Sequence, residues 1–403
     1  MHNQPKIILL LETSRQLGRE MLRGAANWSQ MHGPVTLAAY AGHVEQPLPD
    51  FRKERNFGVV SRLSVPGLVR AFQKYRFPLI ALEPVSQELL DLKEKLKLPE
   101  IRSDAEAIAI MGVEYLWNDG FRHFAFCGFP GTLWSQRRSR IFAEQVCKKG
   151  GSCSVYHETE QKLTWARERP LLKKWLHSLP KPVGMLACDD DRAHQILNLC
   201  EEENISIPQD ISILGVGNDE ILCDLASPPL SSITIDFVSV GYEVVGTMVE
   251  MISGKTERPP DITMNPRWVT PRLSTDFLAV KDAMVVRALQ FIRQNYLRPI
   301  GVDDVVRYID SSRRTLEVRF FKATQRTIAT EILHHRLQRA KRLLTQTDEP
   351  VTSIAEPSGF YNFRSLLHAF HVIEGCTPTE YRERHESRES HERHESRERS
   401  GAK

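Results

Sequence analysis

Between Ser312 and Thr345 the chain carries nine basic side chains (Arg313, Arg314, Arg319, Lys322, Arg326, Arg336, Arg339, Lys341, Arg342) against two acids, Glu317 and Glu331. The local charge is +7 in a chain whose total is +3. Cations spaced along helices suit a phosphate backbone, because each one set near a phosphate releases a condensed counterion. A solvated helix face is the bland alternative, and charge alone favours it. Upstream, Asp189-Asp190-Asp191 has the composition of a metal cluster. It opens a helix after a strand, however, where an acid at the N-cap is the commoner reason. Enzyme signatures are missing. No G-x-G-x-x-G or G-x-x-x-x-G-K-[ST] follows a strand, and no G-x-S-x-G or H-E-x-x-H occurs.

The elements that must hold these residues differ in kind along the chain. From Lys6 to about Asp276, short apolar runs alternate with longer amphipathic stretches. Ile7–Leu11, Gly58–Val60, Leu79–Leu82, His123–Cys127, Gly184–Ala187 and Ser212–Val216 read as strands. Arg19–Gln30, Ala105–Asn118, Arg138–Lys148, Arg192–Glu203 and Val238–Ile252 read as helices. Continuous apolar strands between helices imply parallel sheet covered on both faces, and a segment this long implies two lobes. Beyond a junction at residues 277–282 the strand signals vanish, and residues 283–382 read as about seven short helices. Two helix-turn-helix units are expected there, Val302–Ile309 with Arg313–Ala323 and Val351–Glu356 with Asn362–Val372. The second turns at Ser358-Gly359-Phe360. A helix of about 20 residues from Ile328 separates them and spans roughly 30 Å, close to one turn of B-DNA. Residues 383–403 repeat R-H-E-S-R-E, hold almost no apolar atoms and are expected to be disordered.

Composition sets further bounds. The chain has 403 residues, 41% hydrophobic and 26% charged, as in soluble globular proteins. No apolar run is long enough to span a membrane, and the N-terminus lacks the pattern of a signal peptide. The seven cysteines show no zinc-site spacing and are expected as reduced thiols in a cytoplasmic protein. No cofactor and no metal are expected.

S-R-R-T-L-E-V-R-F-F, then I-L-H-H-R-L-Q-R-A-K-R-L-L, then S-G-F, A-F and G-C-T-P-T-E-Y-R resemble, in order and spacing, the AraC-type transcription activators. That resemblance implies sequence-specific binding of double-stranded DNA. It places Arg313, Arg314, Glu317 and Val318 on the groove-facing surface of the first recognition helix. Asn362, Phe363, Arg364, Leu367 and His368 take the corresponding places on the second. Arg314 and Arg364 suit bidentate guanine contacts, Glu317 a cytosine amino group, and Leu367 and Val318 thymine methyls; a phosphate contact or plain exposure is the alternative for each. Val318 and His368 depart from the Arg that members of that family often carry. Pro357 sits where the leading helix of the second unit should finish and lacks the N–H that would bond back to Ser353.

In the first 276 residues, I-R-S-D-A-E-A-I, G-F-R-H-F-A-F-C-G, W-S-Q-R-R-S-R-I-F, L-A-C-D-D and I-P-Q-D-I-S-I-L-G-V-G-N-D resemble the sensor domain of LacI-type repressors, which shares its fold with periplasmic sugar-binding proteins. The resemblance implies a two-lobed α/β domain that binds a small sugar in the cleft. Asp104, Arg138, Asp190, Asn218 and Asp219 would line that cleft, with Thr13 and Ser14 from the first strand and Trp134 stacked on an apolar sugar face. Acids and Arg suit a neutral polyol because each makes several strong hydrogen bonds. Gly217 stands where that family usually has Asp, and Asp189 where Asn is frequent. The two resemblances together imply a homodimeric activator of sugar catabolism genes, switched by a pentose, D-xylose, and recruiting RNA polymerase. The residues alone leave two alternatives open: a sugar- or nucleoside-modifying enzyme fused to a DNA-binding domain, and a DNA-binding protein that needs no ligand.

Overall fold

The computed structural model describes residues 4–40, 49–65, 67–156, 164–276, 282–324, 326–347 and 349–383, with backbone only at 283, 338, 342, 345 and 346. The chain divides into two compact units, Met1–Phe277 and Leu278–Lys403. Apart from Asp282 and Glu383, the expected junction and charged tail lie outside the described residues.

The first unit is α/β and has two lobes, each built on a six-stranded sheet. In chain order the first lobe takes β1 (Lys6–Leu10), β2 (Thr36–Tyr40), β3 (Phe57–Ser61), β4 (Leu79–Leu82) and β5 (Glu100–Ser103). The second takes β6 (His123–Cys127), β7 (Ser152–Val155), β8 (Val183–Ala187), β9 (Ile211–Gly217) and β10 (Ser231–Ile235). The chain then returns β11 (Ile262–Met264) to the first lobe and β12 (Pro266–Thr270) to the second. Spatial order is β11-β5-β4-β3-β1-β2 and β12-β10-β9-β8-β6-β7, all parallel except β12, which runs antiparallel to β10. The central strands read as unbroken apolar runs because helices cover both faces; β4 and β8 are buried along their whole length.

Three segments cross between the lobes side by side. After β5 the chain enters the helix Ala105–Asn118, which packs on second-lobe helix Leu133–Lys148. After β10 it enters Phe237–Ile252, which returns to pack on first-lobe helix Gln16–His32. That helix pair crosses closely: a Cβ on Gly24 would lie 1.9 Å from the Val238 carbonyl oxygen, and one on Gly241 would lie 2.1 Å from that of Met21. The third crossing joins β11 to β12. Asp104 N donates to Met264 O at 3.1 Å, and Asp236 N approaches Asn265 O at 3.5 Å. Three parallel connections of this kind form a hinge.

Among the described residues the second unit is all helical. Its helices are Ala283–Asn295, Val302–Ile309, Arg313–Thr324, Ile328–Gln346 and Phe363–Glu374, with a last turn of helix at residues 378–383. Two apolar cores form. Val285, Leu289, Ile292, Val305, Leu316 and Phe320 make the first with Ile328 and Ile332. Ile354, Phe360, Leu366 and Phe370 make the second with Leu337, Ala340 and Leu344. The 19-residue helix Ile328–Gln346 therefore belongs to both cores and spans about 28 Å.

One expectation is corrected. Val351–Glu356 is not an α-helix but a 3-10 turn, Val351–Ile354, followed by another at Glu356–Ser358. Pro357 explains this, since a proline cannot donate back into an α-helix. The turn closes at Gly359, whose φ is +83°. A Cβ there would sit 2.6 Å from the Tyr296 carbonyl oxygen, so both conformation and space require glycine.

Candidate functional site

In the first unit a cavity of about 260 Å3 opens at the C-terminal strand ends, where the two lobes meet. This lies below the ~300–1,000 Å3 of drug-sized ligand sites, a size for a small molecule. Leu10, Leu82, Val216, Ile235 and Met264 supply apolar wall. The charged groups divide by lobe: Glu12, Arg15, Arg62 and Glu83 from the first, Arg138, Asp189, Asp190, Asp191 and Asp219 from the second.

The lobes are tied across this space. Arg15 Nη1 lies 3.1 Å from Asp191 Oδ2 and 3.7 Å from Asp189 Oδ2. Asp219 Oδ2 accepts from Gln16 N at 3.2 Å and from Arg19 Nη2 at 2.9 Å. The Asp219 carboxylate therefore sits at the N-terminus of a 17-residue helix, where the unpaired amides and the dipole favour an anion. Arg138, buried, donates through Nη2 to Ser103 Oγ at 3.0 Å and through Nη1 to the Cys188 carbonyl. Glu83 Oε1 accepts from Ser103 Oγ at 2.6 Å and Ser103 N at 3.1 Å. Arg62 donates to the Glu83 carbonyl at 3.3 Å, and burial pushes its guanidinium below the usual value.

Asp190 is held from two sides. Ser232 Oγ donates to its Oδ1 at 2.6 Å, and Asp219 N to its Oδ2 at 2.7 Å. Burial nonetheless pushes its carboxyl up to about 7, against both hydrogen bonds. Asp189 caps the helix Asp190–Glu202 by accepting from Arg192 N at 2.8 Å, and burial raises it to about 6. The Asp190 carboxylate occupies the space beside β9 where two glycines leave room. A Cβ on Gly215 would lie 2.2 Å from its Oδ1, and one on Gly217 would lie 3.1 Å from its Oδ2.

Of the residues expected in the cleft, Trp134, Arg138, Asp190 and Asp219 line this cavity together. The other four stand elsewhere. Asp104 caps the helix Ala105–Asn118 by accepting from Ala107 N at 2.9 Å. Thr13 and Ser14 offer their carbonyls to Arg19 Nη1. Asn218 Oδ1 accepts from Arg272 Nη1 at 2.9 Å. Arg15, Arg62 and Glu83 were missed. They follow strands β1, β3 and β4, and their position at strand ends is the signal that would have found them.

In the second unit the basic stripe is not a free cationic surface. Arg336 donates to the carbonyls of Tyr296, Arg298 and Ile300 at 2.8–3.1 Å. Arg313 bonds to Glu317 at 2.9 Å and Asp303 at 3.0 Å. Arg319 pairs with Asp282, Arg326 with buried Glu331, and Lys341 with Glu374. Sequence counts charges, whereas the fold commits these five to protein partners. Among the described residues Arg314 and Arg364 are exposed and make no side-chain hydrogen bond or ion pair. Val318 and His368 are exposed, Phe363 and Leu367 half-buried, and Asn362 caps its helix by accepting from Ser365 N at 2.9 Å.

The Glu331 carboxylate is buried on the long helix. Burial opposes its ionisation, but His335, whose Nε2 lies 3.4 Å from Glu331 Oε1, and the charge of Arg326 outweigh this and hold it down to about 2.

A hinged two-lobed sensor and a pair of helix-turn-helix units on one rod define a class: DNA-binding transcription regulators that respond to a small molecule. The comparisons agree. Residues 113–275 match the periplasmic binding protein-like domain and residues 305–384 a helix-turn-helix domain. The chain is 30% identical over 288 residues to the xylose operon regulatory protein of Escherichia coli, covering 70% of this chain and 73% of that one. It is 29% identical over 329 residues to the protein of that name from Haemophilus influenzae, covering 81% and 84%. A solved structure described as a xylose-binding transcription activator superposes with a TM-score of 0.58 at 25% identity, over 95% of this chain and 99% of that one. A LacI family regulator from Bifidobacterium animalis shares the fold of the first unit, with a TM-score of 0.51, 17% identity and coverage of 68% and 98%. The chain belongs to the xylose operon regulatory protein family, and is a sugar-responsive, DNA-binding transcription regulator.

Proposed function

We propose that this regulator takes a neutral pentose, D-xylose, into the cavity between the lobes, and in response activates transcription of sugar catabolism genes. The observation that carries the reading is the convergence of Glu12, Arg15, Arg62 and Glu83 from one lobe with Arg138, Asp190 and Asp219 from the other around one small space. These groups offer both donors and acceptors to a ring of hydroxyls, while Trp134 gives an apolar face. Asp190 supplies the carboxylate that Gly217 lacks. The names of the relatives support xylose over other sugars.

Sugar that bridges the lobes favours the closed arrangement through its greater affinity for it. In a cytoplasmic homodimer this repositions the helical units, so that each clamps a half-site and the bound protein recruits RNA polymerase. In this reading the chain has no catalytic role and needs no cofactor or metal. Among the described residues no cluster of three metal-ligating side chains forms, and no helix is long and apolar enough to cross a membrane.

The test is calorimetric titration of the full chain with D-xylose, L-arabinose, D-ribose and D-glucose, followed by duplex binding with and without the sugar that binds. Saturable xylose binding that raises DNA affinity supports the reading. Heat with no effect on DNA, or chemical conversion of the sugar, refutes it.

A further inference from the structure

The first recognition helix, Arg313–Thr324, buries Leu316 and Phe320 completely. At about 100° per residue the face opposite those two carries Arg314, Val318 and Phe321. Val318 is 61% exposed and Phe321 51% exposed. Arg313 and Glu317 lie on the flank instead and bond to each other.

The second recognition helix, Phe363–Glu374, repeats the arrangement 50 positions later. Leu366 and Phe370 are buried as Leu316 and Phe320 are. The face opposite carries Arg364, His368, His371 and Val372, all exposed, Val372 by 65%. The two readers therefore share an arginine near the start of the helix and then part in chemistry. One continues with Val318 and Phe321, whereas the other places His368 and His371 at those two positions and an apolar side chain, Val372, at the next.

We infer that the first recognition helix reads thymine C5-methyl groups with Val318 and Phe321, beside a base contact made by Arg314. This rests on the reading of the second unit as DNA-binding and adds the chemistry of one half of its site. On base edges in the major groove the thymine methyl is the apolar group available, and aliphatic or phenyl side chains are its natural partners. The strip is bounded by the cations Arg314 and Lys322, which suit a groove walled by phosphates rather than an apolar protein surface. At the positions of Val318 and Phe321 the second helix has the imidazoles of His368 and His371, which offer ring nitrogens, so the two halves of a site should differ in where they need a thymine methyl.

The experiment is selection of duplexes from a random pool by the full chain with saturating D-xylose and without sugar. Thymine is then replaced by uracil, one position at a time, in the selected site. The expected result is a weakening of about fourfold for each of one or two thymines in the first half, the value of one buried methyl. In Val318→Ala and Phe321→Ala, whose side chains are exposed and whose folding is checked by circular dichroism, one uracil penalty should vanish in each. A selected site indifferent to uracil throughout, or penalties that persist in both variants, overturns the inference while leaving DNA recognition intact. Variants that bind DNA normally yet fail to activate polymerase also overturn it, by assigning this strip to a protein partner. Failure to select any sequence overturns the DNA reading itself.

Discussion

Replacing Asp190 by Asn isolates the energetic effect of burying a carboxylate beside the cavity. In the folded chain burial raises this carboxyl from the ordinary 3.8 to about 7. A raised carboxyl keeps its proton longer in the folded than in the unfolded chain. Its stabilising contribution is complete below about pH 3.8 and is lost as pH rises through about 7. The full effect is about 4 kcal/mol. Asparagine has the same shape, can accept from Asp219 N with its oxygen and donate to Ser232 Oγ with its amide, and does not ionise. Differential scanning calorimetry of the first unit's transition in the full chain reads the effect. Relative to the parent, Asp190→Asn should gain about 4 kcal/mol between pH 4 and pH 8, a shift on the order of 10 °C. Equal separation of the two melting temperatures at pH 4 and pH 8 would refute the claim that Asp190 ionises at such a cost. Asp190→Ala is the control: it removes the acceptor of the Ser232 hydroxyl and of Asp219 N at every pH, though Ser232 Oγ still accepts from Asn218 N, and should lose roughly 1–3 kcal/mol for each donor left unpaired.

Outcomes for four further variants are expected. Glu331→Gln should destabilise the second unit by about 3 kcal/mol at pH 7, because a carboxyl held down to about 2 contributes stability above about pH 4.5 that disappears as pH falls through 2. Urea titrations at pH 7 and pH 3 should show the gap between variant and parent shrinking at the lower pH. Gly359→Ala, forced to keep φ at +83° with its Cβ 2.6 Å from Tyr296 O, should cost more than about 2 kcal/mol in urea unfolding of the second unit. Arg314→Ala should relax preference at one base position and weaken the selected site by about 1–3 kcal/mol, whereas Arg336→Ala should lower stability and leave the slope of log Kd against log salt unchanged.

Sequence makes the alternation of strand and helix legible because a strand buried on both faces must be apolar along its whole length, as in Leu79–Leu82 and Gly184–Ala187. The edge strands β2 and β7 escape that rule, since among the described residues each has a strand neighbour on one side alone and their residues are mixed. For the cleft, the family resemblance names Trp134, Arg138, Asp190 and Asp219, which line the cavity, and Asp104, which caps a helix. An acid between a strand and a helix serves equally as a cap, and only coordinates separate the two roles. Arg15, Arg62 and Glu83 follow strands that the sequence shows, but only the sheet order brings their loops together. In the second unit the charge run is visible, but the carbonyls that bind Arg336 come from about 40 residues away. Phe321 reads as a core residue from its type, and only the burial of its neighbour Phe320 turns it outward.

The helix Ile328–Gln346 sends Ile328 and Ile332 into one core and Leu337, Ala340 and Leu344 into the other. The few residues between Ile332 and Leu337 thus behave as a ruler engraved in the chain. Deleting one of them would swing the downstream reader by about 100° about the rod and draw it in by about 1.5 Å. Operator spacing is in this way written into protein length: a lineage that lengthened this helix by a turn would need promoters rearranged to match, so gene control and helix length must evolve in step.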